Sequence, residues 1–273
     1  MLPLMAIYST YYQASQLLHG LAEPIMGTRL ELLLIGKEKS VGEQIWNQIT
    51  EEIQRLDRLM NRFDPESEIY ALNSRISTMA VVVSDELWEI LTDCYRYYQL
   101  TSGYFDISLQ DFSSVEFNES NHTLSSSLKS LTLDLGGYGK GYALEKIKGI
   151  LNSYGVENAL VNFGNSSVLG VGTHIHGNYW AIGIQDPESG TDVGVVHLKE
   201  SSMSTSGNSP RNQAHVINPM TQTVFTGRQL VTVHAPNALD AEVLSTALLV
   251  METEERESVL SHFNIYEYLV INL

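Results

Sequence analysis

The sequence predicts an α+β fold in one continuous domain, and three observations carry that prediction. Two long helical patterns dominate the first third of the chain. A strand, a glycine turn and a helix follow one another at 131–151. Beyond residue 157, short strands alternate with glycine, asparagine or Asp-Pro turns until a closing helix pair and a final strand. No internal repeat and no low-complexity linker interrupts this order.

Taken in order, residues 1–23 read as an N-terminal extension and 24–273 as the domain. RLELLLIG, after Met26-Gly27-Thr28, alternates as a strand does. Ser40 and Glu43 have capping-box spacing. Behind them Val41, Ile45, Ile49, Ile53, Leu56 and Met60 recur every three or four residues, as in an amphipathic helix. Pro65, in a polar run, marks a turn. TMAVVVS reads as a strand, and Ser84 is placed to cap a helix carrying Leu87, Leu91, Cys94 and Tyr98. Residues 110–130 are rich in Ser and Asn and read as a surface excursion. Leu131, Leu133 and Leu135 then read as a strand that breaks at Gly136-Gly137. The helix after it places Ala143, Ile147, Ile150 and Leu151 on one face and stops at Gly155. NALVNF, SVLGV, YWAIGIQ, VGVVHLK, HVIN and QLVTVHA are short strands of a mostly antiparallel sheet. A helix follows with Val243, Leu244, Ala247, Leu248 and Met251 on its apolar side. A short helix near 254–262 and the strand YEYLVINL complete the chain.

Composition narrows the function classes. The 273 residues are 43% hydrophobic and 18% charged, as in ordinary globular proteins. A net charge of −16 and the lack of any Lys/Arg run argue against a nucleic-acid partner. No apolar run is long enough for a membrane span. The single cysteine, Cys94, excludes a disulfide framework. Residues 1–22 lack a basic n-region and a lipobox cysteine, so the compartment is left open, with cytoplasmic as the default.

Chemistry concentrates at LTLDLGGYGKGYALEK. Glycines at a helix start let backbone N–H groups approach an anion, and Lys140 adds a positive charge there. A helix packed closely on a strand would produce the same glycines. The Walker and dinucleotide fingerprints are absent. Glu242 and Thr246, four apart, share one helix face and offer oxygen ligands for a hard cation; a solvated glutamate beside a packed threonine is the alternative. His215 has a side chain suited to proton transfer near neutrality, or to a structural hydrogen bond. Ser204-Thr205-Ser206-Gly207-Asn208 reads as a hydroxyl-rich turn. His174, His176 and His234 lack zinc-site spacing.

In order along the chain, MGT (26–28), LDRLMNRFDPESEIYALN (56–73), TSGYFD (101–106), LDLGGYGKGYALEK (133–146), ALVNFGN (159–165), STSGN (204–208), HVINP (215–219) and AEVLSTALLV (241–250) resemble the ApbE family, the FAD:protein FMN transferases. The resemblance spans about residues 24–273. It implies an ApbE-like fold with mostly antiparallel sheets, flanking helices and two lobes around a central cleft. It implies FAD as substrate and transfer of FMN through a phosphoester to a threonine or serine hydroxyl of an acceptor flavoprotein, with release of AMP. It implies Mg²⁺, held by the Gly139 carbonyl, Glu242 and Thr246. His215, Thr246 and Lys140 would serve the reaction, with His215 assisting deprotonation of the acceptor. Met26 and Phe63 would line the flavin. Asn73, Asp106, Asp134, Ser206 and Gly207 would line the nucleotide or hold its loops. Gly137 and Gly141 would approach the phosphates, and Glu145 the adenosine side. Many relatives are exported.

Several residues depart from the family pattern. Glu242 replaces the usual aspartate and is one methylene longer. Asn218 and Gln222 replace an aspartate and a glycine after His215. Gly164-Asn165 replaces paired glycines, and Gly139 replaces an alanine. These changes gather around the metal and phosphate positions. They admit two alternatives: an FAD-binding protein with a degenerate metal site, and an FAD pyrophosphatase that yields FMN and AMP.

Overall fold

The computed structural model describes residues 6–108, 110–207 and 216–273. In chain order the strands are β1 (Ala6–Tyr12), β2 (Leu17–Ile25) and β3 (Thr28–Ile35), followed by helices α1 (Lys39–Met60) and α2 (Glu68–Asn73). Then come β4 (Val81–Val82), α3 (Asp85–Leu100), β5 (Val115–Asn118), β6 (Thr123–Ser126) and α4 (Gly139–Ser153). The second half holds β7 (Asn158–Phe163), β8 (Ser167–Val171), β9 (Trp180–Gln185), β10 (Asp192–Leu198), β11 (Ser201–Gly207), β12 (Ile217–Asn218), β13 (Thr223–Val224) and β14 (Gln229–Ala235). Helices α5 (Ala238–Val250) and α6 (Thr253–Leu260) and strand β15 (Glu267–Asn272) follow.

The main sheet has eight strands in the order β1-β2-β3-β7-β8-β11-β14-β15, and every neighbouring pair is antiparallel. Residues 6–23, expected to be an extension, form β1 and most of β2. In β2 the inward positions are Leu18, Gly20 and Ala22. Gly20 has a packing role: a Cβ there would lie 2.6 Å from the Trp46 ring on α1. The fully buried Trp46, Ile45, Ile49 and Ile53 form the inner face of α1. Among the described residues no helix is long and apolar enough to cross a membrane.

Three local expectations change. The Ser40 capping box is not used, because α1 starts after Glu38 without a side-chain cap. Ser84 does cap α3, accepting the Leu87 N–H at 3.3 Å. The segment 110–130 is more than an excursion: β5 and β6 pair there and β4 joins them, with Phe112 and Leu124 buried beneath. Leu131, Leu133 and Leu135 are buried as a strand would bury them, yet they join no sheet. Side chains and loop carbonyls bond that backbone instead. Leu133 donates its N–H to Asn73 Oδ1 (2.8 Å), Asn73 Nδ2 donates to the Leu133 carbonyl (2.9 Å), and Asp134 N–H bonds Ile107 (2.7 Å).

Helices α1 and α3 are tied by Arg55, whose guanidinium makes two bonds to Glu86 (2.5 and 2.9 Å). That contact, helped by Tyr142, lowers the Glu86 carboxyl to about 2 from its ordinary 4.5. The folded group is the stronger acid, so its stabilisation is complete above about pH 4.5 and drains as pH falls toward 2. The pair is partly solvated, with Arg55 42% and Glu86 25% exposed, which screens it to about 1 kcal/mol. Arg55→Met should therefore flatten the fall of the urea midpoint in acid by about that amount. An unchanged acid slope would remove this pair from the pH response.

Candidate active site

Helix α5 positions the site. It is buried on nearly every face, so Glu242 in its second turn is only 3% exposed. The solvated reading of Glu242 therefore fails. A carboxylate at this depth needs partners, and it has three. Oε1 pairs with the Lys140 ammonium. Oε2 accepts from Ser167 Oγ (2.5 Å) and Ser204 Oγ (2.8 Å). One turn on, Thr246 Oγ1 lies 3.2 Å from Ser206 Oγ, which also bonds Ser245 Oγ at 2.9 Å.

The glycine corner meets this helix. Asp134 Oδ1 accepts the Gly136 N–H (2.9 Å) and shapes the turn. A Cβ at Gly137 would lie 3.3 Å from the Phe105 ring and 3.5 Å from Thr246 Oγ1. Helix α4 starts at Gly139 with no side-chain cap, and the Gly139 N–H itself bonds the Leu135 carbonyl (2.8 Å). Lys140 follows directly. At Gly141 α4 touches α5: a Cβ would come within 2.8 Å of Glu242 Cβ and 2.9 Å of the Ala238 carbonyl oxygen.

Between them lies a cleft of about 510 Å³, lined by Asp106, Asp134, Gly137, Lys140, Ser206, Gly207, Glu242 and Thr246 among others. A recess beside it shares Asp134 and Lys140 and adds Met26, Phe63 and Gly139. Met26 and Gly27 make a tight reversal with φ of 46° and 72°. Phe63 is 74% exposed, with the Arg62 guanidinium 4.2 Å from its ring centre. The cleft and recess thus bring together most of the residues singled out from sequence.

Three of those residues lie outside the cleft and recess. Asn73 holds the 131–136 segment from behind. Gly141 is a packing contact. Glu145 does not line the cleft; its carboxylate accepts the Ala238 N–H (2.6 Å) and stabilises the start of α5. His215 lies outside the described residues. Ser204 and Ser206, read as part of a turn, belong to β11.

Sequence reasoning missed Ser167, Arg62 and Gln110. Ser167 had a signal, since it opens a strand that is buried throughout, where a hydroxyl requires a partner. The departures are also explained. Asn218 Oδ1 accepts the Met220 N–H (2.9 Å) and Nδ2 donates to the Val250 carbonyl (3.1 Å), so it closes its turn without a charge. Gln222 sits at φ 56°, a conformation suited to glycine, and its Nε2 bonds the carbonyls of Pro219 (2.9 Å) and Gln110 (2.7 Å).

The site does not fit the Mg²⁺ that the resemblance implies. Glu242 has both oxygens engaged. Asp134 bonds Gly136 N–H through Oδ1 and pairs with Arg62 Nε through Oδ2 (2.9 Å). Asp106 Oδ1 accepts from Ser108 N–H and Oγ (both 2.6 Å), and Oδ2 from Phe112 N–H (3.2 Å). Glu242 is the one carboxylate of the expected ligand set, and it is already paired with a cation, the Lys140 ammonium, which Mg²⁺ would have to displace.

Comparison with known proteins agrees with the order of motifs. The model of the ApbE family matches residues 26–115 and 107–270. The FAD:protein FMN transferase of Klebsiella pneumoniae (strain 342) is 25% identical, over 90% of this chain and 82% of that protein. That of Salmonella typhimurium (strain LT2) is 23% identical, over 96% and 86%. Among solved structures, the ApbE protein of Thermotoga maritima superposes with a TM-score of 0.81 at 22% identity, covering 97% of this chain and 94% of that one. The flavin transferase ApbE of Vibrio cholerae superposes with a TM-score of 0.80 at 21% identity, covering 98% and 94%. The α+β, mostly antiparallel fold is thus the ApbE fold.

Proposed function

The chain belongs to the ApbE family, and from that premise we propose that it is a flavin transferase. It takes FAD, moves the FMN half to a threonine or serine hydroxyl of an acceptor flavoprotein, and releases AMP. The observation that carries the proposal is the meeting of the Gly137–Lys140 corner with Glu242 and Thr246 in one cleft. Residues 24–273 are taken as the transferase domain.

In this reading the diphosphate sits against the uncapped start of α4 and the Lys140 ammonium, which offset its charge. The ring system enters the recess between Met26 and Phe63, where an exposed aromatic face offers stacking. Ser206 and Thr246 hydroxyls can hydrogen-bond phosphate oxygens. The acceptor hydroxyl attacks the FMN-side phosphorus, and its proton passes to a base, a role we assign to His215. The bond from that phosphorus to the bridging oxygen breaks, and AMP leaves with that oxygen.

Incubation with FAD and an acceptor domain carrying the target threonine should give covalent flavin fluorescence on the acceptor in a denaturing gel, with equimolar AMP. Free FMN and AMP without an acceptor would make the chain a pyrophosphatase. Bound FAD with neither product would make it a binding protein, the reading that the closed carboxylate set favours next.

A further inference from the structure

Resting on that reading, we infer that the Lys140 ammonium stands in for a divalent cation, so that this chain binds the FAD diphosphate without Mg²⁺. Glu242 then acts as a positioning residue that holds the ammonium, not as a metal ligand.

Glu242 is one methylene longer than the aspartate of the family pattern. Its Oε2 reaches Ser167 Oγ on β8 and Ser204 Oγ on β11. Those bonds pin the carboxylate from behind. Its Oε1 holds Lys140 from α4, and a cation entering there would meet the ammonium first. The two helices are in close contact at this point. Gly141 brings α4 so close to α5 that even one added carbon would lie 2.9 Å from Leu239 Cα and from the Ala238 carbonyl oxygen. Lys140 is therefore fixed between two packed helices, yet its side chain is 23% exposed and lines both the cleft and the recess. A phosphate group bridging the two spaces meets that ammonium. A second cation, Arg62, stands at the same junction, 2.9 Å from Asp134. The two side chains together supply fixed positive charge where a diphosphate needs it.

Ser167 and Ser204 matter for the same reason. They neutralise no charge, but they satisfy the carboxylate oxygen that faces away from Lys140. The ammonium is thereby left as the one charged group on Glu242.

The test is FAD binding by the intact protein, followed by flavin fluorescence in buffers containing either excess EDTA or millimolar Mg²⁺. The dissociation constant is expected to agree between the two buffers within about twofold. Tightening by Mg²⁺ beyond about twofold overturns the inference and leaves the transferase proposal standing. Absence of FAD binding in both buffers overturns both. Lys140→Met provides a second measurement and should weaken FAD binding about tenfold or more in EDTA. Undiminished affinity in Lys140→Met would show that the ammonium does not meet the ligand. If that variant fails to fold, the comparison of buffers with the unaltered chain decides the matter alone.

Discussion

Gly141→Ala is expected to lose about 2 kcal/mol of stability and to loosen the active site with it. The new methyl carbon would sit 2.8 Å from Glu242 Cβ, 2.9 Å from Leu239 Cα and 2.9 Å from the Ala238 carbonyl oxygen. Two of these atoms are backbone in the first turn of α5, so no rotamer change relieves the clash. The helices must part. Overpacking of this kind costs about 3 kcal/mol at the upper end of its usual range, and the better helix propensity of alanine returns about 1 kcal/mol. Parting the helices also pulls Lys140 away from Glu242, so FAD affinity should fall too. Gly149→Ala, in the same helix, is the control. Nothing lies within 4 Å of its added carbon, so it should stabilise the protein by about 0.5–1 kcal/mol. Urea denaturation of the two variants checks both signs. A Gly141→Ala protein as stable as the parent would mean that α4 and α5 are not packed as described.

The second large effect is expected at Glu242. Its replacement by alanine leaves the Ser167 and Ser204 hydroxyls and the Lys140 ammonium without their shared acceptor. Breaking a buried pair costs about 3–5 kcal/mol; Lys140 is partly solvated, so about 3 kcal/mol is expected here. Replacing both members, as Lys140→Met with Glu242→Met, should cost less than the sum of the single changes, with a coupling of about 1–2 kcal/mol. A double-mutant cycle by chemical denaturation measures it. Strict additivity would mean that the two groups do not interact in solution.

The departures from the family pattern fall into two groups. Asn218 and Gln222 repair their turns locally, through bonds to Met220, Val250, Pro219 and Gln110. Their effect is confined to the rim of the cleft. Glu242 lies at its floor and changes which groups touch which. Its three partners, Ser167, Ser204 and Lys140, come from three different elements, β8, β11 and α4.

Much of this was legible in the residues alone. The 3.6-residue period of α1, the Ser84 cap of α3 and the glycine corner before α4 depend on neighbours a few positions away, and each appears where the pattern placed it. The ordered motifs named the family because eight short matches in one order along the chain are specific together though each is weak alone. Failures came where partners are distant. The apolar alternation of Leu131–Leu135 said "buried and extended" correctly, but only the position of Asn73, 60 residues away, decided that side-chain amides would replace a sheet ladder. Strand β1 escaped notice because an edge strand keeps most of its side chains in solvent. Glu145 carried a charge on a motif helix, and only the fold shows that it faces the start of α5.

The sequence by itself determined the main helices, the order of the motifs and the family, because periodicity and motif spacing are properties of short stretches. The tertiary structure alone decided whether Glu242 is an open ligand or a closed one. Its partners lie 102, 75 and 38 residues away, on α4, β8 and β11. Burial in α5 strips its water and makes those partners obligatory, and no local pattern records which groups long-range packing will bring to it.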